Sequence, residues 1–170
     1  LVSAQRYEPP AARLYEKGVD LLIHKEGYSP PLAAHKSLNY LYHLAARQAA
    51  LAVGCHEAVL LDVEGRVSET SAGSLLAMSS GKWWTPVGEY RLPGITIRAL
   101  WAIFSDAGIQ IESREAWPED LVRADTVWVL NSLMGIMPVA GINGRQLPDG
   151  MSGEAARFRG LLFDRGHRDG

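Results

Sequence analysis

Short apolar segments alternate with turn-forming residues along much of the chain. The run from Gly18 to His24 is apolar and flanked by chain breakers, which is typical of a buried strand. A loop with the pair Pro30-Pro31 follows, and a further strand is expected to carry the chain to Lys36. The same pattern, with hairpin turns among the first segments, predicts later strands at 58–62, 67–70, 74–79, 83–85, 109–114, 126–130 and 136–142.

Helical periodicity is clearest between Ser37 and Val53, and Gly54 stands where a helix C-cap is expected. Further helices are predicted at about 96–107, 118–123 and 153–163. Because strands and helices alternate but hairpins also occur, the pattern favours a mixed α/β sheet. The apolar positions that define the period of the first helix are Leu38, Leu41, Ala45, Ala49 and Ala52.

Composition narrows the class of protein and its partners. Of the 170 residues, 47% are hydrophobic and 21% charged, which suits one globular domain with its own core. A net charge of -2 without a basic cluster argues against nucleic acid and membrane surfaces as partners. No apolar run approaches the roughly 20 residues of a membrane-spanning helix. The single Cys55 has no cysteine to pair with and no metal-spaced neighbours, so a cytoplasmic protein without a metal site is expected.

Two segments of the first half carry residues suited to chemistry, although each has an ordinary alternative. Lys36 stands at a predicted helix start, where the helix dipole favours anions over cations. A lysine held there gives up its proton more readily, as the formation of an imine requires. The alternative is a solvated surface lysine. Glu69 ends a predicted strand before the small residues 70–74, and a carboxylate there could keep a pyridine nitrogen protonated. The alternative is a turn with a surface carboxylate.

Two further segments lie in the second half. Pro93-Gly94 leads into a predicted helix, where the N–H groups of Ile95 and Thr96 could bind a phosphate. A simple turn with a threonine cap is the alternative. Asn131-Ser132 interrupt an apolar strand, so they mark either a turn at a strand end or a site whose ligand satisfies them.

In their order and spacing, the four segments resemble the class IV aminotransferase family of pyridoxal-phosphate enzymes. The matching stretches are KSLNYL, VSETSAGS, LPGIT and NSLMGIMPV, and Glu69 follows Lys36 by 33 positions. The resemblance implies that Lys36 forms the Schiff base with pyridoxal 5′-phosphate and that Glu69 contacts its pyridine nitrogen. It further implies that Ile95 and Thr96 hold the phosphate, and that Asn131 and Ser132 complete the rim of the phosphate or substrate site.

The resemblance also implies a domain organisation. The expected fold is the C-terminal domain of the D-amino-acid aminotransferase-like fold, with the small N-terminal domain absent from this chain. Residues 1–13 would be a remnant of the interdomain linker, 14–165 the cofactor-binding large domain and 166–170 a flexible tail. A homodimer acting on a small molecule is expected from the family.

The turn NSLM resembles that of aminodeoxychorismate lyases more than the threonine-rich turn of transaminases. The expected reaction is therefore the conversion of 4-amino-4-deoxychorismate to 4-aminobenzoate and pyruvate. A D-amino-acid or branched-chain transaminase and an inactive dimerising scaffold fragment are the alternatives. The family usually has arginine directly after the helix-start threonine, whereas here Arg98 comes one place later, about 100° further round the helix. The roles of Arg98, Asn39 and Tyr40 stay open.

Overall fold

Nine strands form one mixed sheet in the computed structural model, which describes residues 2–148 and 152–166. The strands are β1 (Val19–Gly27), β2 (Glu57–Leu61), β3 (Val67–Thr70), β4 (Ser74–Ser79), β5 (Lys82–Pro86), β6 (Ile111–Arg114), β7 (Thr126–Asn131), β8 (Gly135–Ile142) and β9 (Arg145–Gln146). The helices are α1 (Ala12–Lys17), α2 (Leu41–Ala52), α3 (Ile95–Asp106), α4 (Pro118–Val122) and α5 (Ser152–Gly166).

The strand order is β3-β2-β1-β8-β7-β4-β5-β6, and β9 pairs with β8. Parallel pairing joins β1 to β2, β1 to β8 and β5 to β6, and the other pairs are antiparallel. Strand β8 connects the two halves of the sheet because its first residues pair with β7 and its later residues with β1. The mixed α/β sheet expected from the sequence is confirmed.

Most predicted elements lie within two residues of the observed ones. Strand β1 alternates as an apolar strand should, with Val19, Leu21 and Ile23 buried. Helix α1 and the two-residue strand β9 were not predicted, and α1 begins inside the segment expected to be a linker. Of the expected tail at 166–170, all but Gly166 lies outside the described residues. Among the described helices, none combines the length and hydropathy needed to cross a membrane.

The segment before α2 differs from the sequence prediction. No strand leads to Lys36, because β1 ends at Gly27 and a loop follows it. The helix begins at Leu41 and not near Ser37. The Ser37 hydroxyl accepts the Asn39 N–H at 3.3 Å, and the Tyr40 N–H donates to the Leu38 carbonyl at 2.9 Å. These local bonds replace the helical ones, so Lys36 lies in a loop.

The buried face of α2 was also wrongly predicted. The Leu38 side chain is fully exposed, at 101%, and Leu41 is largely exposed, at 78%. The helix packs on β2 through Ala46 and Ala50, which are both completely buried. These two alanines come one position after Ala45 and Ala49 of the apolar period, so the contact face is turned by about 100° from the face that the period indicates.

A second core cluster lies under α3 and α5. Helix α3 buries one face at helical spacing, with Ile97, Leu100, Ile103 and Phe104 pointing into the cluster. The Phe104 ring lies 4.5 Å from Phe158 of α5. This packing holds the N-terminal end of α3 against the sheet.

Replacing the fully buried Leu100 with alanine should lower the free energy of unfolding by about 3 kcal/mol, because it leaves a cavity under α3. Chemical denaturation measures this change. Val63→Ala is the control, since Val63 is 68% exposed and its truncation should cost less than about 0.5 kcal/mol. Equal destabilisation by the two variants would contradict the packing described for α3.

Candidate functional site

Three of the four segments singled out in the sequence are joined by direct contacts. The Leu92 N–H donates to Glu69, and a Cβ built on Gly94 would lie 2.6 Å from the Ser74 Oγ. The Asn131 side-chain N–H donates to the Ala72 carbonyl. The segments that start α3 and end β7 are therefore both packed against the turn that follows Glu69.

Lys36 reaches this group of segments through aromatic neighbours. It is exposed in the 28–40 loop, and its Nζ donates to the Tyr40 hydroxyl at 2.8 Å. The same ammonium lies 5.1 Å from the centre of the Tyr40 ring. That ring is 5.2 Å from the His43 ring, which in turn contacts Glu69. The amine is thus fixed by a phenol and not by a helix start.

Glu69 is a largely buried carboxylate with two polar partners, one at each oxygen. Its Oε1 lies 3.4 Å from His43 Nε2, and its Oε2 accepts the Leu92 N–H at 3.1 Å. Its side chain is only 13% exposed. Burial lowers the pKa of the neighbouring Arg91 guanidinium, and the negative charge of Glu69 opposes that change. Arg91, just before α3, is thus the cation whose charge interacts with this carboxylate.

The turn after Glu69 is held rigidly by its small residues. Thr70 donates both its N–H and its hydroxyl to the Gly73 carbonyl, at 2.8 and 3.0 Å. The Ser71 N–H donates to the Ala58 carbonyl, and its hydroxyl donates to the buried carboxylate of Glu57. These hydrogen bonds restrict the conformation of the turn, so it forms a rigid surface beside Glu69.

The start of α3 presents backbone donors. Gly94 is its N-cap, and no side-chain hydrogen bond from the described residues caps the helix. The N–H groups of Ile95 and Thr96 belong to the first turn, where no intrahelical acceptor exists. Thr96 is half-buried and Ile95 is 68% exposed. The threonine-cap alternative is not what the helix shows, because the cap position belongs to Gly94. Arg98 is exposed on the same helix.

Asn131 and Ser132 form a turn at the end of β7 and not an interruption within a strand. The Asn131 Oδ1 accepts the N–H groups of Leu133 and Met134, at 3.0 and 2.9 Å. Its Nδ2 donates to the Ala72 carbonyl at 3.1 Å. Asn131 is thus committed to holding the β7–β8 turn against the Glu69 turn, whereas the Ser132 side chain is exposed.

Replacing Asn131 with alanine should lower the free energy of unfolding by about 1–2 kcal/mol, because three hydrogen bonds of the turn are lost. Asn131→Asp should lose about half as much, since it keeps the acceptor oxygens but not the donor. Thermal unfolding measures both. Ser132→Ala is the matched control, and a loss for Asn131→Ala no larger than for that control would contradict this role.

Two cavities lie near these residues. A notch of about 40 Å³ is lined by residues that include Tyr40, His43, Glu69 and Leu92. It is much smaller than the roughly 300 Å³ of ordinary small-molecule pockets. The candidate site is therefore an open surface with a small notch and not an enclosed pocket. A cavity of about 680 Å³ lies between α1, α5 and Met134, and none of the predicted site residues lines it.

Sequence inspection missed His43 and left Tyr40 open. The two stand three positions apart across the start of α2, so their side chains meet on one face. His43 comes seven positions after Lys36, and on the predicted helix this spacing of two turns would place both residues on one face. This spacing is the signal from which His43 could have been suspected. Its contact with Glu69, 26 positions away in sequence, has no signal in the sequence itself.

Comparison with known proteins gives a consistent result. The family model described as "Amino-transferase class IV" matches residues 1–142. The branched-chain-amino-acid aminotransferase of Escherichia coli K12 is 29% identical over 151 residues, which are 86% of this chain and 49% of that protein. The aminodeoxychorismate lyase of Vibrio harveyi is 30% identical over 148 residues, which are 84% of this chain and 55% of that protein.

Solved structures agree with these relatives. The branched-chain amino acid aminotransferase of Escherichia coli superposes with a TM-score of 0.79 at 28% identity, over 86% of this chain and 52% of that one. A T.th. branched-chain amino acid aminotransferase with pyridoxamine 5′-phosphate superposes with a TM-score of 0.83 at 28% identity. That match covers 91% of this chain and 53% of the other. The chain spans about half the length of the curated relatives it matches.

Proposed function

Because the chain belongs to the class IV aminotransferase family, we propose that it binds pyridoxal 5′-phosphate through Lys36 and Glu69 and acts on a small amine. The specific reaction that we propose is the lyase reaction, from 4-amino-4-deoxychorismate to 4-aminobenzoate and pyruvate. The observation that carries the proposal is the unbroken series of contacts from the Lys36 amine through Tyr40 and His43 to the Glu69 carboxylate.

The donor set suits this cofactor. A primary amine, a largely buried carboxylate and an uncapped helix start match an aldehyde, a ring nitrogen and a phosphate. One oxygen of Glu69 accepts the Leu92 N–H and the other contacts His43 Nε2, and each oxygen keeps a lone pair for a ring N–H. The N–H groups of Ile95 and Thr96 would bind the phosphate, and the Ser132 hydroxyl would add a donor at the rim. When bound, the cofactor supplies an electron sink for charge left on the substrate carbon.

The residues of this chain then have separate tasks. Lys36 would anchor the cofactor, and as a free amine it would take the proton from the amine-bearing carbon of the substrate. The same amine would return a proton to the enolpyruvyl methylene as the bond between the ring carbon and the enolpyruvyl oxygen breaks. Pyruvate then leaves, and the electron pair left on the amine-bearing carbon forms the new double bond of the aromatic ring. Tyr40 holds the Lys36 amine in place through its hydroxyl. Glu69 would contact the ring nitrogen and favour its protonated form, in which the ring accepts electrons.

The choice of lyase rests on the turn NSLM and on similarity to the Vibrio harveyi lyase. In this turn Leu133 is 61% exposed and apolar, next to the exposed Ser132. An apolar rim suits a ring-shaped substrate. Branched-chain transaminases of comparable similarity make transamination the second candidate.

Two assays on this protein distinguish the lyase reaction from transamination. The protein with pyridoxal 5′-phosphate is given 4-amino-4-deoxychorismate in one reaction, and a branched-chain amino acid with 2-oxoglutarate in another. We expect 4-aminobenzoate and pyruvate in equal amounts from the first and no glutamate from the second. Glutamate formation with no pyruvate would replace the lyase proposal with a transaminase.

The family resemblance also leads us to propose a homodimer. Exposed leucines on α2, among them Leu41, Leu44 and Leu51, offer an apolar surface for a second copy. Sedimentation equilibrium measures the oligomeric state. An inactive scaffold fragment would dimerise equally well but take up no cofactor on Lys36, which separates that alternative from an enzyme.

A further inference from the structure

The His43 ring contacts Glu69 through one nitrogen only. Nε2 lies 3.4 Å from the Glu69 Oε1, and both side chains are largely buried, at 17% and 13% exposed. Nδ1 is buried and has no hydrogen-bond partner among the described residues. The two nitrogens therefore stand in very different surroundings.

This asymmetry selects one tautomer of the ring. A proton on Nδ1 would be a buried donor without an acceptor, which is costly, and it would leave the Nε2 lone pair facing a carboxylate. A proton on Nε2 instead points at Oε1, and Nδ1 then keeps only an unpaired acceptor. The neutral ring with its proton on Nε2 satisfies the pair best.

The other groups around His43 do not offer Nδ1 an alternative. On its own helix and at the helix cap, the Tyr42 and Tyr40 rings lie 5.9 and 5.2 Å from its centre. The Tyr42 hydroxyl is already committed to the Glu26 carbonyl, and the Tyr40 hydroxyl to Lys36. The charged group of β3 that contacts His43 is Glu69, and the loop before α3 carries Arg91, whose charge interacts with Glu69.

We propose that His43 is a positioning residue whose Nε2–H donates a hydrogen bond to Glu69, and so holds this carboxylate in the orientation that a protonated ring nitrogen of the cofactor would need. The proposal rests on the proposed function of the site. His43 touches neither substrate nor reacting atoms in this scheme, and it acts only through Glu69. With the Leu92 N–H on Oε2, the imidazole leaves the carboxylate no free rotation.

The first test reads the tautomer directly in the 170-residue chain before cofactor is added. Nitrogen-15 NMR of the histidine rings distinguishes protonated from unprotonated ring nitrogens, and His43→Gln identifies the signal by its disappearance. We expect Nε2 to be protonated and Nδ1 bare, and Glu69→Gln to shift the Nε2 resonance. A proton on Nδ1, or an Nε2 chemical shift that is the same in the wild type and in Glu69→Gln, would overturn the proposal.

The second test measures the effect on the cofactor. Pyridoxal 5′-phosphate is titrated into the wild type, His43→Leu and His43→Gln, and both the dissociation constant and the pH profile of the bound-cofactor absorbance are recorded. Leucine removes the donor, so we expect about tenfold weaker binding and a shifted profile. Glutamine places an amide N–H near Nε2 and should restore both.

The outcomes separate this proposal from the proposed function. Unchanged binding and profile in His43→Leu, or a glutamine variant as impaired as the leucine variant, would overturn the role of His43 while leaving the cofactor site intact. A wild-type chain that takes up no cofactor would refute the proposed function, and the role of His43 with it. The ring spectra would still decide whether the His43–Glu69 hydrogen bond exists.

Discussion

Replacing Lys36 with alanine should abolish covalent attachment of pyridoxal 5′-phosphate and lower turnover by at least about 10³-fold, because one amine anchors the cofactor and transfers the substrate protons. Loss of the absorbance band of the attached cofactor and loss of pyruvate release should occur together. Since Lys36 lies exposed in a loop, its replacement should leave the free energy of unfolding nearly unchanged.

Lys25→Ala is the matched control for this prediction. Lys25 is an exposed lysine near the end of β1, outside the contacts that join Lys36 to Glu69. Its variant should keep both the absorbance band and the turnover of the wild type. Pyruvate release that survives in the Lys36 variant would remove Lys36 from the mechanism.

Replacing Glu69 with glutamine should lower turnover by about 10²–10³-fold, because a neutral amide no longer stabilises the protonated ring nitrogen. The Leu92 N–H retains an acceptor in this variant, so the fold should be preserved. Cofactor attachment to Lys36 should persist with an altered absorbance spectrum. Steady-state kinetics and absorbance spectra measure the two effects separately.

Glu112→Gln on β6 serves as the control for Glu69, since it makes the same chemical change at an exposed strand position. It should leave kcat and the spectrum unchanged. A Glu69→Gln enzyme with wild-type kcat would show that this carboxylate does not serve the ring nitrogen.

Elements with local signals could be predicted from the sequence. The β2–β3 and β4–β5 hairpins follow from short apolar runs and the turns between them, and α3 follows from its period and from Gly108, which has a φ of 73°. The sheet order could not be predicted, because β8 lies between β1 and β7 through pairings distant in sequence.

The sequence indicated which segments form the candidate site, but not the contacts that their residues make. Lys36 was expected at a helix start, yet Ser37 and Tyr40 form local bonds that delay α2 to Leu41. The contact face of α2 was missed because the alanines that pack on β2 are Ala46 and Ala50, one position after Ala45 and Ala49 of the apolar period. Asn131 was recognised as polar and in need of partners, but only the structure shows that the backbone of the turn supplies them.

The central claim is that Lys36 is the residue to which the cofactor attaches. Borohydride trapping of the protein with pyridoxal 5′-phosphate, followed by digestion and peptide mass spectrometry, tests it most directly. The other lysines in the chain are Lys17, Lys25 and Lys82. We expect the added mass on the peptide that contains Lys36, at one cofactor per chain. Labelling spread over the other lysines, or none at Lys36, would contradict the claim.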